Sequence, residues 1–126
     1  MTGRQVLVVE DNERNMKLFR DVLQASGFRT LEATTGERAV ELVLEHRPDL
    51  VLMDIQLPDI DGVEALDRLR ADDRFASVPV LALTALAMEG DRERFLAAGF
   101  DGYLSKPVDI ADFVATVKRY CGESSR

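Results

Sequence analysis

A chain of 126 residues has room for one ordinary domain around one core, which excludes a multi-domain reading. Hydrophobic residues make up 46% and charged residues 31%, far from the composition of disordered chains, so the chain should fold alone. Acidic side chains outnumber basic ones 23 to 16, for a net charge of −7; charge therefore opposes a nonspecific grip on nucleic acid or on an anionic membrane surface.

Met1 to Gln5 leads into Val6-Leu7-Val8-Val9, an apolar block ending at Glu10. It is too short for a signal-peptide core and has the pattern of a strand buried on both faces. No stretch approaches the ~18 apolar residues of a membrane span. A first helix follows with Met16, Phe19 and Leu23 on one face and stops at Gly27. Phe28 to Ala33 reads as a weaker strand, and Thr34, three residues before Glu37, as the capping-box start of a second helix striped by Ala39, Val40, Val43 and Leu44. His46 ends that helix. Leu50-Val51-Leu52-Met53 repeats the buried-strand pattern, and Asp61, three before Glu64, opens a third helix with Val63, Leu66 and Leu69 on its stripe. Val80-Leu81-Ala82-Leu83 is the third such block; a less regular helix around Ala87 to Ala97 follows, stopped at Gly99. Gly102-Tyr103-Leu104 has the polar flanks of an edge strand, and Ile110, Phe113, Val114, Val117 and Cys121 stripe the last helix. Gly122 to Arg126 reads as a tail. Cys121 is the one cysteine; with no disulfide partner and no Cys/His metal set, it points to a reducing compartment, and cytoplasm is the expected location.

Five alternating β and α elements predict an α/β fold: a flavodoxin-like, doubly wound (βα)5 three-layer sandwich with a parallel sheet in the order 2-1-3-4-5. In that order strands 1 and 3 are neighbours, and the functional crevice lies beyond their carboxyl ends. Strand 1 ends in Glu10-Asp11 and strand 3 in Asp54, so at a strand spacing of about 4.8 Å three carboxylates converge. Like charges so close need a cation, and hard oxygen ligands with room for water suit Mg²⁺, with Mn²⁺ a substitute, better than zinc. Strand 4 ends in Thr84, and Lys106-Pro107 follows strand 5. A hydroxyl and an ammonium thus face the same crevice.

Three carboxylates, a metal, a hydroxyl and a lysine are what transfer of a phosphoryl group to an aspartate requires. Asp54 would be the nucleophile, the metal and Lys106 would neutralise the phosphoryl oxygens, and Thr84 would donate a hydrogen bond to one of them. The chain uses three lysines against thirteen arginines, and Lys106 puts a compact ammonium where a guanidinium fork would crowd the phosphate.

Four runs carry a family resemblance over essentially the whole chain: Val8-Val9-Glu10-Asp11-Asn12, Leu52-Met53-Asp54-Ile55-Gln56-Leu57-Pro58-Asp59-Ile60-Asp61-Gly62, Ala82-Leu83-Thr84-Ala85 and Tyr103-Leu104-Ser105-Lys106-Pro107. In that order they resemble a response-regulator receiver domain of two-component signalling. In detail the chain is similar to stand-alone cell-cycle receivers, through Glu10 as the first acid, Asn15-Met16-Lys17-Leu18-Phe19, Asp54-Ile55-Gln56-Leu57-Pro58 and Ala85-Leu86-Ala87-Met88 before Gly90-Asp91; hybrid-kinase receivers share parts of this wording. The resemblance implies residues 1–122 as one receiver domain with 123–126 as a short tail. It implies that Asp54 accepts phosphate from a histidine kinase or histidine phosphotransferase, and that Asp11, Asp54 and the main-chain carbonyl of Gln56 ligate Mg²⁺, with Glu10 acting directly or through water. It further implies Thr84 and Tyr103 as a switch pair, Gln56 and Leu86 as positions that tune phosphoryl lifetime, a cis Lys106-Pro107 bond, and a downstream protein docking on helix 4, strand 5 and helix 5. Read from the residues alone, an ordinary half-buried edge-strand aromatic is the lesser alternative for Tyr103.

Nineteen residues follow Pro107, enough for a last helix and too few for an effector domain, so output is expected through another protein, from a monomer that acts on itself rather than as an enzyme on a substrate. A receiver cut from a hybrid kinase would read the same way. A haloacid-dehalogenase-like phosphatase shares the nucleophile, the metal, the Thr and the Lys, but needs an acid two residues after Asp54, where this chain has Gln56. A flavin carrier would want a Ser/Thr/Gly phosphate loop after strand 1, where Glu10-Asp11 repels an anion.

Overall fold

The structure is a computed structural model and describes residues 4–60, 62–73, 78–85 and 91–121. The sequence readings at Asp61, Leu86, the start of the fourth helix and the tail lie outside the described residues. The strands are β1 (Gln5–Val9), β2 (Arg29–Ala33), β3 (Leu50–Asp54), β4 (Val80–Thr84) and β5 (Gly102–Ser105); between and after them run α1 (Glu13–Ala25), α2 (Gly36–His46), α3 (Gly62–Arg70), α4 (Asp91–Ala98) and α5 (Ile110–Cys121). All pairings are parallel and the order is β2-β1-β3-β4-β5, as the alternation predicts.

The continuous apolar blocks become the three inner strands because both their faces are covered. Leu7, Val9, Val51, Met53, Val80 and Ala82 look towards α2, α3 and α4, where Ala39, Leu42, Val43, Leu66, Leu69 and Phe95 meet them. Val6, Val8, Leu50, Leu52, Leu81 and Leu83 look the other way, onto Met16, Phe19 and Leu23 of α1 and Phe113, Val117 and Cys121 of α5. Phe19 and Phe113 stack across the α1–α5 seam with ring centres 5.2 Å apart.

Helix ends follow local chemistry. Asn12 caps α1 by accepting from the Asn15 N–H at 3.0 Å. Gly27 and Gly99 take φ of 93° and 113°, and Phe28 and Phe100 donate back to the Leu23 and Phe95 carbonyls, as in Schellman stops. The cap of α2 is Thr35, which accepts from the Arg38 N–H at 3.1 Å, one residue after the Thr34 expected from its spacing to Glu37. Two stripe residues are outside the core: Leu44 is 43% and Ile110 51% exposed. No helix among the described residues is long and apolar enough to cross a membrane.

Candidate functional site

Parallel pairing delivers the polar residues to one end of the sheet. Val9 is in register with Met53 and Asp54 with Leu83, so the next residues, Glu10 and Thr84, flank Asp54 on either side. Main-chain bonds fix these ends: Glu10 N–H to the Ala33 carbonyl at 3.0 Å, Ile55 N–H to Leu83 at 3.0 Å, and Lys106 N–H to Thr84 at 2.7 Å. The peptide bond between Lys106 and Pro107 is cis. Glu10, Asp54 and Thr84 are the buried polar residues among those described, at 1%, 5% and 3% exposure. Asp11 stays exposed, yet one carboxylate oxygen from each of Glu10, Asp11 and Asp54 lies within 4.8 Å of the other two.

The Lys106 ammonium reaches into this cluster. Its Nζ donates to Asp54 Oδ2 at 2.9 Å and sits 2.6 Å from Glu10 Oε1. The Asp54 contact is a hydrogen bond and the Glu10 contact a close ion pair, so one ammonium is shared between two buried carboxylates. The other Glu10 oxygen accepts from the Asn12 N–H at 3.2 Å, and Asp54 Oδ1 from the Gln56 N–H at 2.9 Å.

Burial, aided by the neighbouring charge of Asp54, raises the Glu10 carboxyl above its ordinary value despite Lys106 and the Asn12 N–H. Burial alone would lower the Lys106 ammonium, but Glu10 and Asp54 together outweigh it and hold the lysine charged, above its ordinary value. The pocket therefore contains more acceptor capacity and negative charge than one lysine satisfies. Three carboxylates that each bring an oxygen to one spot, with a single ammonium between two of them, fit a hard divalent cation that keeps several waters.

Thr84 and Tyr103 lie on the neighbouring strands β4 and β5. Ala82 pairs with Tyr103 and Thr84 with Ser105, so the two-residue alternation puts Thr84 and Tyr103 diagonally on one sheet face. Tyr103 is half-buried there, its ring centre 6.1 Å from that of Phe95 in α4. Two residues of the Leu52 to Gly62 run have structural parts that the resemblance does not assign them. Gly62 is one: a Cβ there would lie 2.6 Å from the Asp54 carbonyl oxygen and 3.0 Å from Ile55 Cα. Its signal is a glycine at the foot of a helix close behind a strand end. Asp59 is the other: its two oxygens accept from the Gly36 and Glu37 N–H groups at 2.8 and 3.0 Å.

Five parallel βα units in this strand order, with an acidic cluster and a lysine at their carboxyl ends, define a receiver. Residues 6–118 match the response regulator receiver domain, and the chain belongs to that family. Among its relatives, it is 49% identical over 121 residues to the polar-differentiation response regulator DivK of Brucella anthropi, covering 96% of this chain and 98% of that protein. The crystal structure of the receiver domain of sensor histidine kinase PA1611 from Pseudomonas aeruginosa, with magnesium coordinated in its active-site cleft, superposes with a TM-score of 0.88 at 38% identity. That match covers 96% of this chain and 99% of the other. A chain from the Saccharomyces cerevisiae co-crystal of phosphotransfer protein Ypd1 with the receiver domain of response regulator Ssk1 matches at TM-score 0.86 and 27% identity, covering 96% and 91%. The chain is thus a DivK-like receiver of a two-component signalling system, and the phosphatase and flavin-carrier alternatives fall away.

Proposed function

We propose that this receiver takes a phosphoryl group onto Asp54 from a phosphohistidine of a histidine kinase or phosphotransferase, and signals through a protein that docks on the phosphorylated form. The observation that carries the reading is the convergence of Glu10, Asp11, Asp54 and Lys106 in one pocket. An Asp54 carboxylate oxygen attacks phosphorus; the P–N bond to the donor imidazole breaks, its electron pair returns to the ring nitrogen, and an acyl phosphate forms. Mg²⁺, for which Mn²⁺ can substitute, would be held by Asp11, Asp54 and the Gln56 carbonyl, with Glu10 directly or through water, and would supply charge neutralisation at the phosphoryl oxygens. Lys106, already paired with Asp54, exchanges that partner for a phosphoryl oxygen, and the Thr84 hydroxyl donates to another. Drawing Thr84 towards the phosphoryl group frees the space into which the Tyr103 ring turns, so α4, β5 and α5 report the change. Gln56, just past the acceptor, sets with Leu86 how fast water reaches the acyl phosphate. The protein acts as a cytoplasmic monomer.

With Mg²⁺ and acetyl phosphate, intact-mass measurement should show the wild-type chain gaining one phosphoryl group and Asp54→Asn gaining none. A full gain in Asp54→Asn would remove Asp54 as acceptor, and a wild-type chain that stays unmodified by acetyl phosphate and by phosphohistidine donors would sink the reading.

A further inference from the structure

The β3–α3 loop carries Gln56 from the end of β3 to the start of α3, and its outer part is fastened to a different element. Gly62 N–H closes the loop on the Ile55 carbonyl at 3.0 Å, and Gln56 N–H turns back to Asp54. Beyond that, Pro58 has no N–H to give. Asp59 then spends both carboxylate oxygens on the first two N–H groups of α2, and Ile60 presses on Gly36 so closely that a Cβ there would lie 2.5 Å from Ile60 Cγ1. Helix α2 does not need Asp59 for its whole cap, because Thr35 already serves the third N–H. The tie also completes a circuit of contacts that runs through the acidic pocket: Asp54 to Asp59 along the loop, Asp59 to Gly36, back along the chain to Ala33, across the Ala33 carbonyl to Glu10, and through Lys106 to Asp54.

Resting on the metal site proposed above, we propose that Asp59 is a positioning residue for Mg²⁺: by anchoring the loop to the α2 N-terminus it holds the Gln56 carbonyl at the distance from Glu10, Asp11 and Asp54 that one small cation demands. Mg²⁺ tolerates little departure from octahedral geometry, and groups that hold a ligand in place typically matter at the ten- to hundredfold level in metal affinity. Asp59 touches neither metal nor phosphate in this scheme.

Calorimetric titration with MgCl2 tests it on wild type, Asp59→Ala, Asp59→Asn and Thr35→Ala. Asp59→Ala should raise the Mg²⁺ dissociation constant about tenfold, and Asp59→Asn, which keeps one acceptor oxygen, should fall between it and wild type. Thr35→Ala unfastens the same helix end without touching the loop, so it should lower the melting temperature while Mg²⁺ affinity stays at the wild-type value. Saturating Mg²⁺ should return phosphorylation of Asp59→Ala by acetyl phosphate to the wild-type rate. Wild-type affinity in the Asp59 variants, an equal loss in Thr35→Ala, or a rate defect that saturating Mg²⁺ leaves in place would each overturn the proposal. Should Asp59→Ala not fold, Asp59→Asn against Thr35→Ala decides it. A wild-type chain that takes up no Mg²⁺ refutes the metal site itself, a separate outcome.

Discussion

Lys106 brings its charge into a pocket where two carboxylates are almost wholly buried, and its own side chain is 16% exposed. Removing one partner of such a cluster leaves the others uncompensated, which costs about 3–5 kcal/mol for a fully buried pair. The residual exposure of Lys106 argues for the lower end. Lys106→Met, which preserves the stem's volume, should therefore lose about 3 kcal/mol in the metal-free protein and distinctly less with saturating Mg²⁺, because a divalent ion neutralises the same oxygens. Urea unfolding in EDTA and in excess Mg²⁺ measures both; equal losses would mean that lysine and metal do not share these carboxylates. The lysine's contribution has a sign in pH as well. Its folded pKa lies above the ordinary 10.5, so the stabilisation is complete below that value and disappears as pH rises through the folded one.

Elements locate these side chains, and two glycines at helix starts show how tightly. The clash awaiting a Cβ at Gly62 is with the main chain of Asp54 and Ile55, whereas at Gly36 it is with the side chain of Ile60. Backbone cannot rotate away, and overpacking typically costs 1–3 kcal/mol; Gly62→Ala should lose about 2–3 kcal/mol and slow phosphorylation by displacing Asp54, while Gly36→Ala should lose about 1 kcal/mol or less as Ile60 turns aside. Unfolding curves and acetyl phosphate kinetics on the two variants check the order, and a milder Gly62→Ala would contradict it. The same elements show what the sequence makes legible. Apolar runs of four residues ending in Glu10, Asp54 and Thr84 announce both strands and site, because in a parallel sheet covered on both faces only the carboxyl tips are free to be polar. Periodicity misplaced Leu44 because it lies about 100° around α2 from Val43, and the true face runs through Ala39, Leu42 and Val43. Ile110 has the right angle but the wrong height, at the first turn of α5. The Asp59 tie joins groups 22 and 23 residues apart, a pairing that no local pattern encodes. At the opposite end of the sheet, Asp101 binds Arg70 and the Val80 N–H through one oxygen, equally invisible before folding.

Across the whole molecule, the apolar layers on either side of the sheet supply the stability, and the crevice at its carboxyl ends draws on it. Glu10 makes that draw depend on pH. Its folded pKa lies above the value near 4.5 of the unfolded chain, so between the two the folded protein binds the extra proton. The contribution of Glu10 is then most favourable below about pH 4.5 and declines as pH rises through the folded value. Asp59 works in the opposite sense: burial would raise its carboxyl, but the N–H groups of Glu37, Gly36 and Ile60 outweigh that and lower it below 3.8, so its stabilisation is present above 3.8 and lost on acidification. A divalent cation held at the site proposed above would bind the ionised carboxylates and so compete with the Glu10 proton. The rise in melting temperature produced by a fixed excess of Mg²⁺ should therefore be larger at pH 7.5 than at pH 4.5, where protonation of Glu10, which the fold favours, competes with the metal. Thermal scans at the two pH values, each with Mg²⁺ and with EDTA, measure this directly. Equal shifts would place the metal away from Glu10, and no shift at either pH would leave the crowded carboxylates to Lys106 alone.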